Sequence, residues 1–274
     1  MSKLVKHYES HYSNFQENLY REVRARVYGT DIGQNSWITA DEQDMFMDWL
    51  RLDSSKKLLD VACGSGETTL RINKSTNCSV VGVDVQEKGI KNALSLVKGK
   101  KLEASVNFIL SDGGKPQPFD TGTFDAIICI DAINHLPNRK KVFQEWYRLL
   151  KEDGCILFTD PIVVTGMLTK EEIQTRASIG YFLFTAEGVN EKLLKETGFT
   201  VLKKMDRTDN MALTARNWEV ERERKRTALV SIEGHDTFEG QQDFFKTCAY
   251  LAEGKHLSRY AYFAGKENTD QKDI

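Results

Sequence analysis

Five cysteines among 274 residues, with no CxxC pair, leave little material for a zinc site or a disulfide frame. Cys63, Cys78, Cys129, Cys155 and Cys248 fall mostly in apolar, strand-like segments, as expected of reduced core thiols in a cytosolic protein. His7, His11, His235 and His256 show no ligand spacing with carboxylates or cysteines, so no metal is expected. No window approaches about eighteen consecutive apolar residues, which excludes a transmembrane helix. The opening MSKLVKHYESHYSNF lacks the apolar stretch of a secretory signal. Charge of one sign is missing too: 38 basic against 40 acidic residues give a net charge of −2, without a nucleic-acid or membrane footprint. The expectation is a soluble, cytoplasmic protein with a small-molecule partner, no nucleic acid and no membrane.

What is present is an ordinary core-forming composition, 40% hydrophobic and 28% charged, which argues against disorder. Tyr8, Tyr12, Phe15, Leu19, Val23 and Val27 recur at helical spacing and predict one amphipathic helix ending near Gly29. The loop TDIGQNSWIT follows, and Thr39 or Asp41 then caps a helix carrying Met45, Phe46, Trp49 and Leu50. From Lys57 the texture changes to short apolar runs, at 57–62, 79–85, 106–112, 124–131 and 154–160. Runs of this kind are strands buried on both faces, and helical segments between them, the clearest at 138–151, predict a parallel α/β sheet. Residues 185–199 read as a capped helix, 200–206 and 257–266 as strands, and 210–252 as charge-rich helix. The fold expected is a doubly wound, mostly parallel seven-stranded sheet with helices on both faces.

Asp60, Asp84, Asp112 and Asp131 each fall at or just beyond the end of a predicted strand. In an open parallel sheet that edge is where ligands bind. The turn Asp60-Val61-Ala62-Cys63-Gly64-Ser65-Gly66 differs from the dinucleotide fingerprint in placing an acid directly before the glycines. A pyrophosphate would be repelled there and a cationic group favoured. Asp84 lies twenty positions beyond Gly64, the offset of a carboxylate that bridges ribose hydroxyls. Together these features describe a nucleoside with a cationic tail, the shape of S-adenosylmethionine.

LLDVACGSG, VVGVDV, ILSDGG and FDAIICIDAINHLPN resemble successive motifs of class I (Rossmann-like) S-adenosylmethionine-dependent methyltransferases, and LKEDGCILFTD resembles their following helix and strand. The resemblance is clear over 57–160, and the N-terminal segment is most like the small-molecule branch of that family. It implies that Asp60, with the backbone at Ala62, Cys63, Gly64 and Gly66, holds the methionine end of the cofactor. It implies further that Asp84 binds the ribose with Val85 beside the adenine, that Asp112 and Gly113 meet the adenine amino group, and that Ile130 and Asp131 underlie the sulfonium. Ala62 departs from the pattern, standing where the family's first glycine is usual.

His135, just past the fourth strand, is the candidate general base or substrate contact. Gln34, Asn35 and Thr39 of the preceding loop are candidate contacts to the cofactor carboxylate, and Trp37 is a candidate apolar wall or cation–π contact to the sulfonium or an amine substrate. Tyr8 and Tyr12 read first as packing residues. The organisation expected is a lid over 1–51, a cofactor-binding core over 52–160, and a remainder over 161–274 with a helical cap insertion at about 207–255. The function expected is methyl transfer to an amine, hydroxyl or carbon nucleophile of a small molecule. A protein or nucleic-acid methyltransferase and a catalytically silent cofactor-binding protein are the alternatives.

Overall fold

A computed structural model describes residues 12–14 and 17–266. Helix α1 (Asn18–Tyr28) starts after Glu17, whose ψ of 136° is extended, and it stops at Gly29 with φ of 72°. The single helix predicted from Tyr8 onward is therefore interrupted; Tyr8 and Phe15 lie outside the described residues. Helix α2 (Ala40–Leu50) begins as expected, the Thr39 hydroxyl accepting from the Glu42 amide.

The sheet then builds as β1 (Lys57–Val61), β2 (Ser79–Asp84), β3 (Val106–Leu110), β4 (Phe124–Cys129) and β5 (Leu150–Val164). Between them lie α3 (Glu67–Thr76), α4 (Glu87–Lys100), a short 3-10 turn at Ile133–His135 and α5 (Arg139–Leu149). The chain continues through α6 (Lys170–Arg176), β6 (Thr185–Ala186), α7 (Val189–Glu196) and β7 (Phe199–Asp206). Helices α8 (Thr208–Arg224), α9 (Arg226–Glu233) and α10 (His235–Glu253) precede the last strand, β8 (Leu257–Lys266).

The strand order is β3-β2-β1-β4-β5-β8-β7, with β1 to β5 parallel and β8 antiparallel to both its neighbours. All seven predicted strands are present. An eighth, two-residue strand pairs with Val163 and Val164 of β5. It occupies Thr185–Ala186, where a helix was predicted, and the helix starts only after Gly188, whose φ of 83° breaks the run. The order turns back between β1 and β4, so crossovers leave in opposite directions and a crevice opens at their carboxyl ends.

Both sheet faces are covered, which explains the continuous apolar runs. Phe143, Trp146 and Leu149 of α5 pack on one face, and Phe46 and Leu50 of α2 with Ile72 of α3 on the other. Each such fully buried side chain contributes roughly 1.5–3 kcal/mol. A separate cluster joins Val23 and Val27 of α1 and Trp37 to Trp218 of α8 and Phe244 and Phe245 of α10. Trp218 stacks on Phe245 with ring centroids 5.2 Å apart, so the N-terminal helix and the helices between β7 and β8 share one apolar core. No helix among the described residues is long and apolar enough to cross a membrane.

Candidate active site

A cavity of about 440 Å³ opens at the crevice between β1 and β4. All four strand-end acids, Asp60, Asp84, Asp112 and Asp131, line it. So do Ala62, Cys63, Gly64, Val85, Gly113, Ile130 and His135. The parallel register places Asp60 opposite Gly82 of β2 and Ile128 of β4, and β2 ends at Asp84 beside Leu110 of β3. The chain thereby delivers acids from successive strands to one edge.

The turn after β1 is shaped by backbone conformation. Ala62, Gly64 and Gly66 all have positive φ, at 63°, 58° and 78°. The left-handed region costs a residue with a Cβ roughly 1–2 kcal/mol, so Ala62 stores strain where glycine would not. Gly66 does not line the cavity; it begins α3, and a Cβ on it would come within 2.7 Å of Ala93 Cβ. Its part is to let the turn close on the sheet.

Two of the acids are buried carboxyls with raised proton affinity. Asp60 is 5% exposed, accepts from Thr69 Oγ1 at 2.5 Å, and is pushed by burial up to about 7. Asp84 is also raised by burial, opposed by amides of Gln86 and Gly64 that donate to it at 2.7 and 2.9 Å. Asp112 is more open and accepts from the Gly114 amide. Val85, 64% exposed, sits at the mouth.

Asp131 has a second occupation. With φ of 53°, it accepts from the Trp37 amide, from Thr159 Oγ1 and from both Nε and Nη2 of Arg259. Arg259, on β8, is fully buried and also grips both oxygens of Glu42 on α2. Arg207 and Asn210 add donors to Glu42, and Asn210 donates to the Trp37 carbonyl. One polar network thus ties the loop before α2, the strand-end acid and the first turns of α8 together. Sequence reading missed Arg259, Glu42 and Asn210; the available signal was a charged residue in an otherwise apolar strand, LSRYAYFAGK.

Gln34, Trp37 and Thr39 lie outside the cavity lining. The Gln34 side chain turns back on its own loop, accepting from the Ile32 amide and donating to the Thr30 carbonyl. Thr39 caps α2, and the Trp37 ring stacks on Phe244 with a centroid separation of 6.4 Å. Tyr12, read first as a packing residue, lines the cavity beside Gly64. Ser36 and Asn35 of the loop line it as well.

The His135 Nδ1 lies 2.7 Å from the Tyr181 carbonyl. A carbonyl only accepts, so Nδ1 carries the proton and Nε2 is the acceptor nitrogen. Burial, with help from the nearby Arg176 charge, lowers the ring's proton affinity to about 4. Among the described residues no cluster of His, Cys, Asp and Glu could hold a metal ion, and all five cysteines are free thiols.

Residues 52–180 match the model of a methyltransferase domain. A sterol 24-C-methyltransferase of Debaryomyces hansenii is 28% identical over 179 residues, covering 62% of this chain and 47% of the relative. Phosphoethanolamine N-methyltransferase 3 of Arabidopsis thaliana is 29% identical over 184 residues, covering 67% of this chain and 36% of the relative. The chain thus spans less than half the length of these curated relatives. Among solved structures, mycolic acid cyclopropane synthase CmaA1, complexed with SAH, superposes with a TM-score of 0.78 at 19% identity, covering 93% of this chain and 98% of that one.

Proposed function

We propose that this chain, whose residues 52–180 are a methyltransferase domain of the class I, Rossmann-like kind, transfers the methyl group of S-adenosylmethionine to a nucleophile of a small molecule. The observation that carries the reading is the convergence of four strand-end acids on one cavity at the point where the strand order turns back. The donor set suits that cofactor: buried carboxylates favour an ammonium and a ribose diol, and no lysine or arginine among the described residues lines the cavity to meet a pyrophosphate. When bound, the cofactor supplies a methyl group already activated by its sulfonium.

The residues then have separate tasks. Asp60, with backbone at Ala62, Cys63 and Gly64, would hold the amino-acid end. Asp84 would take the ribose hydroxyls, with Val85 along the adenine and Asp112 and Gly113 at its amino group. Ile130 and Asp131 would face the reacting end. Asp131 is clamped by Arg259, so that part of the wall is set before any ligand arrives. Gly66, Gln34 and Thr39 act at one remove, by shaping the turn and the loop that carry the lining residues, and Trp37 lines a smaller adjoining chamber. His135, neutral at physiological pH, can accept a hydrogen bond from the nucleophile through Nε2. Its low proton affinity suits it to orienting the nucleophile more than to storing its proton.

We take 1–51 as a lid, 52–160 as the cofactor core and the three helices between β7 and β8 as a cap within one domain. The joint apolar cluster of α1, α8 and α10 supports that lid-and-cap arrangement. Free cysteines and a net charge of −2 support a cytoplasmic setting and a partner other than nucleic acid. The test is transfer of labelled methyl from S-adenosylmethionine into a cell extract, fractionated by size. Label in small molecules is the expected result; label only in protein or nucleic acid, or none anywhere, contradicts it.

A further inference from the structure

A second, smaller chamber of about 50 Å³ lies under the cap and shares Asn35, Ser36, Asp131, His135 and Ile179 with the cofactor cavity. Its far wall carries Arg176, the last residue of α6, in the segment between β5 and β6. Arg176 is 2% exposed, and its Nη1 has no hydrogen-bond partner among the described residues. Among the described residues no carboxylate is salt-bridged to it; the guanidinium lies instead over the rings of Phe182 and Phe244, at 4.7 and 5.2 Å. Burying an unpaired charge is among the costliest arrangements in a protein interior, and ring faces offset only part of that cost.

Two more unpartnered groups line the same chamber. Asn134 is fully buried with both amide atoms unsatisfied, and the Asn35 Nδ2 is likewise buried and unpaired. The other charges nearby are already neutralised. Asp131 belongs to Arg259, the Tyr28 phenol stays protonated, and His135 is neutral. The chamber therefore presents one uncompensated positive charge and at least two amide donors.

The geometry points to an oxyanion-binding subsite: the methyl acceptor carries a carboxylate or phosphate that Arg176, with Asn134 and Asn35, receives beneath the cap. This inference rests on the methyl-transfer reading for the word acceptor, but the subsite itself stands on the chamber alone. Arg176 and His135 both lie against the Phe182 ring, His135 at a centroid distance of 4.5 Å, so anion and nucleophile are separated by no more than one small molecule. A cationic acceptor in an aromatic box is disfavoured by the same residues. Trp218 and Phe245 already stack on each other, and the cation position against Phe244 is filled by Arg176.

The experiment is titration calorimetry of the full chain, with and without saturating S-adenosylhomocysteine, against benzoate, phenyl phosphate, benzamide and benzylamine. At least one of the two acids binds, and whichever wins says whether the group is carboxylate or phosphate; benzamide and benzylamine do not bind. Arg176→Gln weakens the acid at least about tenfold, as expected when a charged hydrogen-bond donor is lost. Arg176→Lys keeps part of the affinity, and neither change alters binding of S-adenosylhomocysteine, which reports that the fold is intact. Equal binding of the neutral or cationic analogue, binding of neither acid, or unchanged acid affinity in Arg176→Gln overturns the subsite. Failure of S-adenosylhomocysteine to bind would contradict the methyl-donor reading instead, while the arms without it still read the chamber.

Discussion

The cofactor cavity and the chamber beneath the cap share a wall, yet they are built in opposite ways. In the first, three of the four strand-end acids find partners close along the chain or one strand away, Asp60 with Thr69, Asp84 with Gly64 and Gln86, Asp112 with Gly114, and only Asp131 is held by a distant residue, Arg259. In the second, residues as distant as Tyr28, Arg176 and Phe245 meet, and Arg176, Asn134 and Asn35 keep unpartnered atoms. On the proposed reading, cofactor binding rests mainly on local motif geometry and acceptor choice on long-range assembly.

The two regions are joined by Arg259, and removing it should have the largest effect. Arg259→Met leaves Glu42 and Asp131 buried without their common partner, a cost of about 3–5 kcal/mol. Urea unfolding should read that loss; if stability is unchanged, the network does not couple the loop to the strand edge. Asp84→Ala separates the regions from the other side. It should weaken S-adenosylhomocysteine by about 1.5–3 kcal/mol, the range for hydrogen bonds to a charged group, with acid binding in the chamber unaffected.

Proton linkage gives a subtler separation. Asp60 titrates near 7 when folded, against about 4 when unfolded, so the folded state holds the extra proton between those values. Its contribution to stability is full at low pH and is lost as pH rises toward 7. Asp60→Asn should accordingly raise stability at pH 8 while abolishing cofactor binding. In the unmodified chain, affinity for S-adenosylhomocysteine should fall roughly tenfold per pH unit below about 7, because the ligand ammonium needs the carboxylate. His135 works in the opposite sense. Depressed to about 4, it adds stability above about 6.5 that is lost as pH falls toward its folded value. Affinity that stays flat between about pH 5 and 8 in the unmodified chain would assign the ligand ammonium to another group.

The strand-edge region was legible in sequence because its chemistry is periodic and contiguous. A buried strand followed by Asp and a glycine turn is written within LLDVACGSG, and Asp84 is placed by one strand–helix–strand repeat. The loop before α2 was less legible, because its residues are sorted only by assembly. Asn35 lines both cavities and Trp37 the smaller one, while Gln34 bonds within its own loop and Thr39 caps α2. Arg176 carried no signal at all, since a lone arginine in a helix reads as a solvated charge until α10 covers it. The two-residue β6 was hidden for a related reason: Thr185–Ala186 pairs only because β5 runs on past Asp160.

The smallest expected effect concerns the turn itself. Ala62→Gly releases left-handed strain but adds chain entropy, so stability should change by about 1 kcal/mol or less, with cofactor affinity preserved. A large loss of affinity would mean that the Ala62 methyl touches the ligand.

The most direct measurement is calorimetric titration of the full chain with S-adenosylhomocysteine at pH 8, beside Asp84→Ala. Saturable one-to-one binding in the micromolar range, weakened at least about tenfold by the substitution, is the predicted result. No heat at millimolar ligand, or equal affinity in the two proteins, would contradict the claim that these strand-end acids read a cationic nucleoside.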